Sequence, residues 1–171
     1  MTESTEYNAL QSKDFTKYLL WFVYACIIYS IIGFSWGAIM GGVPAFRHFV
    51  DYSAHGRLIT LAHGHINLLG WVEMAIFAAL YYVVPTVSRH PIYSVRLVKV
   101  HFWMHNFGLI GMVVFFFTAG LVGGLSTGED IEKMVNHLLA FVGIFGMLVL
   151  CANIIWGYNL YKTTIGWQER R

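Results

Sequence analysis

Charge is scarce in this sequence. Lys, Arg, Asp and Glu make up 12% of its 171 residues, against about 25% in an ordinary soluble domain. With 57% of the chain hydrophobic, that shortage leaves almost nothing for a water-facing domain. Cysteine is scarce as well. Cys26 and Cys151 both lie in apolar runs and share no CxxC spacing, which excludes a disulfide framework. Low-complexity tracts and internal repeats are missing. A cleavable signal is not expected, since residues 1–17 are polar and the first apolar run is too long for a signal h-region.

What the chain does have is four long apolar runs, at residues 18–40, 58–84, 100–121 and 138–161. A helix crossing the roughly 30 Å hydrocarbon layer needs about 20 residues, so each run is long enough. The expected fold is an all-α integral membrane protein, a single four-transmembrane-helix bundle over residues 1–171 with residues 1–17 as a polar tail. Lys13, Lys17, Arg89, Arg96, Lys99, Lys162, Arg170 and Arg171 would share one side, and Arg47, Arg57 and Lys133 the other. The excess of positive charge places both termini in the cytoplasm. The expected location is the inner (cytoplasmic) membrane of a bacterium. The lipid bilayer is the first partner, and nucleic acid is not one.

The connections are short. Gly41 to Pro44 closes the first helix and opens a loop to about Arg57; Pro85 ends the second helix; residues 89–99 form a basic loop; Gly123 and Gly124 end the third helix. Ser126 and Glu129 stand in the positions of a capping box for the fourth. Gly33, Gly37 and Gly41 repeat at four-residue spacing, which suits close helix packing or approach by a flat ligand and hints at self-association.

Depth and rotation sort the polar groups. At a rise of about 1.5 Å per residue, His63 and His65 fall roughly 9–12 Å outward of mid-membrane. His137 lies on the same side, Glu73 near the middle, and His101 and His105 in the inner half. At about 100° per residue His63 and His65 differ by roughly 200°, so they point to opposite flanks and serve different ions. His101 and His105, four apart, share a face and could serve one. His48, His55, His90 and His101 read as packing residues. Ionisable groups deep in a span are functional candidates by default, which singles out His63, His65 and Glu73. Glu73 suits a proton relay, a ligand, or a neutral acid bonded to a neighbouring helix. Asn67, Asn106 and Asn153 add buried polarity.

"HGH" followed by "LLGWV" and "ALYYVVP" resembles the tenth helix of subunit I in haem–copper oxidases, closest to the C-type (cbb) oxidases and nitric oxide reductases. "VHFWMHNFGLIGMVVFFFTAGLVGG" is similar to the family's eleventh helix and "GYNLYKT" to the end of its twelfth. The likeness runs from Leu58 to Thr163, and the first helix matches by position alone. The resemblance implies that His63 holds a high-spin haem and His65 a low-spin one. His137 is the candidate for the second axial ligand, alongside a neighbouring copy or another subunit, and His105 is a further metal candidate. The four spans resemble the last third of a twelve-helix subunit; the histidines of the copper or non-haem iron have no counterpart.

The implied function is that of a b-type haem membrane cytochrome of oxidase or nitric oxide reductase type. It would transfer electrons within or to a respiratory complex, with quinol or cytochrome c as donor and one or two haems per chain. One alternative is an open haem site that binds or reduces nitric oxide or oxygen, with Glu73 in the catalytic role. Another is a metal or proton transporter using His101, His105 and Glu73. A homo-oligomer or other membrane subunits would complete the haem cage.

Overall fold

The computed structural model describes residues 12–168, and all the regular structure among them is helical. Helix α1 (Lys13–Gly42) starts where the Ser12 hydroxyl accepts the Phe15 N–H at 3.1 Å, satisfying a donor that would otherwise be orphaned. A short α2 (Pro44–Tyr52), with Pro44 in its first turn, follows. Then come α3 (Arg57–Ser88), α4 (Val95–Leu125) and α5 (Glu129–Gln168). Four of these, α1, α3, α4 and α5, are long and apolar enough to cross a bilayer. This is an integral membrane protein.

Each helix outruns its apolar stretch, and the differences have local causes. The polar tail expected at residues 1–17 is helical from Lys13, and Phe15 is buried at 2% exposure; residues 1–11 lie outside the described part. Pro85 does not end a helix. It sits buried inside α3, which continues one turn to Ser88 and stops where Arg89 takes a left-handed φ of 55°. The loop before Arg57 contains α2. Nor does the Ser126 capping box form. The carbonyl of Gly128, at φ +132°, takes the first bond of α5 from the Glu132 N–H, so Ser126 belongs to the end of α4.

Helices α3 and α4 form the centre. α5 runs antiparallel along α4, while α1 lies along α3. The outer helices therefore expose broad apolar faces: Ile28, Ile31 and Phe34 on α1, Ile144, Met147 and Ile154 on α5. Lipid tails can cover such surfaces as water cannot. The densest packing is aromatic and lies toward the α3–α4 connection. There the rings of Phe22, Phe77, Tyr81 and His101 meet, with Phe77 and His101 centroids 4.4 Å apart.

A polar clamp closes that end. Ser94 donates its N–H to Asn159 Oδ1 at 3.0 Å, and Asn159 Nδ2 donates to the Ser94 carbonyl at 3.0 Å. Tyr93 donates its N–H to Thr163 Oγ1 at 3.0 Å. Asn159 is fully buried, so an apolar replacement leaves the Ser94 N–H unpaired, at a cost of about 1–3 kcal/mol, while the Ser94 carbonyl keeps only the Val98 N–H. Asn159→Leu is expected to lower the thermal midpoint in detergent and to speed tryptic cleavage within residues 89–99. Unchanged cleavage would show that the clamp does not hold the connection.

Candidate functional site

The two histidines of the HGH stretch point to opposite flanks of α3, as their spacing requires. His63 turns toward α1. Its ring lies 6.0 Å from Trp36, and a Cβ added to Gly37 would stand 3.1 Å from its Cε1. Asn67 packs one turn on, in the space left by Gly33, and donates through Nδ2 to the His63 carbonyl at 2.9 Å. The same amide nitrogen lies 3.2 Å from His63 Nδ1. The first two glycines of the α1 repeat are thus occupied within the chain: Gly33 and Gly37 admit the polar residues of α3, while a Cβ on Gly41 would meet nothing within 4 Å.

His65 turns toward α4, with its ring 5.1 Å from Phe116. Its Nδ1 lies 2.7 Å from the Leu61 carbonyl. A carbonyl only accepts, so Nδ1 carries the proton and Nε2 keeps its lone pair. This second-sphere bond orients an imidazole for a metal. His137 on α5 has the same arrangement, Nδ1 donating to the Lys133 carbonyl at 2.6 Å. It is exposed, and α5 meets α3 chiefly along Glu73–Ser88, away from His65. The structure records no contact that brings His65 and His137 together.

Between the histidines and Glu73 the helix changes form. Residues Ile66–Val72 make a π-helical segment, closed by the Glu73 N–H on the Leu68 carbonyl five residues back. In an uninterrupted α-helix the eight residues from His65 to Glu73 would turn them about 80° apart. A π segment absorbs one residue, so the offset falls to about 20°. Glu73 accordingly lies on the same side of α3 as His65, facing α4, where its Oε2 is 3.6 Å from His105 Nε2. Nothing in the local sequence announces the segment. Gly70 within it lies so close to the Tyr29 ring that a Cβ there would stand 2.8 Å from Cγ.

His101 and His105 are both fully buried, their ring centroids 5.9 Å apart. A hydrogen bond joins His101 Nδ1 to Tyr81 Oη at 3.0 Å, and His105 Nε2 donates to the Leu69 carbonyl at 3.1 Å. The shared face is therefore engaged in helix-to-helix bonds. Among the described residues no three His, Cys, Asp or Glu side chains converge to hold a metal ion. Glu73 Oε2 is buried without a hydrogen-bond partner. Of the histidines read as packing residues, His48 lies tilted against Tyr52 with ring centroids 4.7 Å apart, and His55 bonds Glu132 at 2.8 Å.

Two apolar cavities open between α1 and α4. One, of about 640 Å³, reaches from Trp21 and Trp103 to Val113, over the Tyr29 Oη to Asn106 Oδ1 hydrogen bond of 2.7 Å. The other, of about 530 Å³, is walled by Trp36, Phe117, Ile39 and Phe46. Trp36 thus stands between that cavity and the His63 ring. Both volumes lie in the ~300–1,000 Å³ range of small-molecule and cofactor sites.

Comparison with known proteins gives a consistent picture. Residues 9–144 match the sequence model of the family described as "Cytochrome C and Quinol oxidase polypeptide I". The match takes in the first helix, which the motifs left matched by position alone, and stops before "GYNLYKT". The chain is 30% identical to the Cbb3-type cytochrome c oxidase subunit CcoN1 of Stutzerimonas stutzeri over 178 aligned positions, 95% of this chain and 35% of that protein. It is 28% identical over 134 residues to cytochrome c oxidase subunit 1 of Rhodobacter capsulatus, 71% of this chain and 24% of the relative. It is 30% identical over 99 residues to a nitric oxide reductase subunit of Stutzerimonas stutzeri, 53% of this chain and 21% of that one. The chain spans between about a fifth and a third of the length of these relatives.

Proposed function

Since the chain belongs to the cytochrome c and quinol oxidase polypeptide I family, we propose that it is a haem-binding membrane cytochrome of oxidase or nitric oxide reductase type. The observation that carries this is the imidazole pair on α3. Its two rings face opposite flanks, and the protonated Nδ1 of His65 is tied to a backbone carbonyl so that Nε2 is free to bind iron. The donor set fits a porphyrin, which needs only axial protein ligands, and does not fit a metal cage of three or more side chains. A haem b held there would carry one-electron transfer.

The chain's own residues do the holding. Leu61 fixes the tautomer of His65, and Phe116 flanks its ring. His63 is the candidate for a second iron, with the Trp36–Phe117 cavity beside it and the Asn67 amide against its ring. Glu73, on the same side of α3 as His65 and with its Oε2 buried, is placed to hold a proton below the site. The second axial ligand of a low-spin haem comes from His137 after rearrangement of α5, or from a neighbouring copy or another membrane protein of the complex. The exposed position of His137 favours the latter. The function is electron transfer within or to a respiratory complex of the bacterial inner membrane, with quinol or cytochrome c as donor.

The test is a pyridine haemochrome assay on the purified protein with protein quantification, followed by a reduced spectrum with and without carbon monoxide. One or two haems b per chain, with sharp α bands unmoved by carbon monoxide, are expected. A carbon monoxide-shifted Soret band would replace electron transfer with gas binding. Protein that stays colourless after expression with ample iron and 5-aminolaevulinate would end the proposal.

A further inference from the structure

The π segment leaves one carbonyl without a partner. Its last wide turn bonds the Glu73 N–H to the Leu68 carbonyl. When the α ladder resumes, the next N–H, that of Met74, reaches back four residues to Gly70, and Leu69 is passed over. A buried carbonyl left unpaired costs about 1–3 kcal/mol. The group that meets it comes from another helix: His105 Nε2, on α4, donates to the Leu69 carbonyl at 3.1 Å from a fully buried ring. The same ring touches Phe77, with centroids 5.1 Å apart, and lies beside the Glu73 carboxyl.

We infer that His105 is a positioning residue that pins the extra residue of α3 between Ile66 and Val72, and so keeps Glu73 on the face of His65. The inference rests on the haem reading above for its consequence, though not for its geometry. Without a donor at Leu69 the wide turns lose the hydrogen bond that ties them to that stretch. If they move toward Ser88, Glu73 swings by about 100° away from His65. Tyr29 cooperates from the other side, since its ring lies against Gly70 and leaves no room for the bulge to tilt toward α1. His105 in this role binds through Nε2–H, which excludes Nε2 as a metal ligand.

The experiment uses the full chain in lipid nanodiscs. In protein carrying ¹⁵N-histidine and ¹³C-carbonyl leucine, solid-state NMR should show a protonated His105 Nε2 coupled across a hydrogen bond to the Leu69 carbonyl. His105→Ala should lose that coupling and shift the g-values of the low-spin haem in electron paramagnetic resonance, and His105→Gln, which retains an N–H donor, should return them toward wild type. Deleting Leu68, which faces outward at 62% exposure, should restore a continuous α ladder with both flanks in place. In that background His105→Ala should cause no further shift. Equal shifts with and without Leu68, or g-values untouched by His105→Ala, would overturn the inference. A wild-type protein without haem defeats the functional reading instead; the Nε2–carbonyl coupling then decides the lock alone, and its absence refutes it.

Discussion

Alanine at both His63 and His65 is expected to yield protein that inserts normally and carries no haem. The two rings lie on opposite flanks of α3 and neither belongs to its sealed seam, which is made by Ile59, Ala62 and Ile66 at 0–6% exposure. Removing them leaves that seam in place, at the loss of the ring contacts to Trp36 and Phe116, and deletes the imidazoles aimed away from it. The single variants apportion the loss. His65→Ala is expected to remove the low-spin signal, because its Nε2 is the nitrogen that the Leu61 bond leaves free. His63→Ala should remove only what the Trp36 side holds. Haemochrome content per chain, measured beside circular dichroism, reads both quantities; full haem content in the double variant would reject the assignment. The same assay on His137→Ala separates a ligand within the chain from one supplied by a partner.

Gly108→Val is expected to give a large loss of stability. Helices α4 and α5 approach closely there: a Cβ on Gly108 would meet the Phe145 carbonyl oxygen at 3.0 Å and the Val149 nitrogen at 3.1 Å. Those are backbone atoms, which cannot rotate away as a side chain can. Overpacking costs about 1–3 kcal/mol, occasionally more, and this site belongs at the upper end because relief requires the helices to separate. A Cβ added to Gly143, on the exposed face of α5, would meet nothing within 4 Å. Gly143→Ala is therefore the matched control, expected to leave the unfolding midpoint in detergent unchanged or slightly raised. Equal midpoints for the two variants would show that the α4–α5 seam is looser than its geometry.

Much of this was legible in the residues. Four apolar runs give four spans because hydrocarbon demands continuous helix. The opposed histidines follow from a two-residue spacing too short for any irregularity to intervene. What escaped the sequence lies where a local rule met a tertiary contact. Pro85 reads as a terminator, yet it is buried in a helix that the fold continues for another turn. Ser126 and Glu129 have the spacing of a cap, but Gly128 supplies the first carbonyl. The glycines of α1 suggest a face for another molecule, and the structure fills two of them with Asn67 and His63. His105 reads as a metal candidate by its spacing from His101; its bond to Leu69 has no signal in sequence, since the carbonyl it meets exists only because α3 widens.

The wide turns of α3 also bear on how this chain should be lined up with its longer relatives. A homologue whose corresponding helix is α throughout needs one residue fewer between its equivalents of His65 and Glu73. Written without a gap there, the pairing would turn the residues beyond Val72 by about 100° from their true equivalents. A single-residue indel in that interval, far from any loop, would then mark structural equivalence rather than divergence.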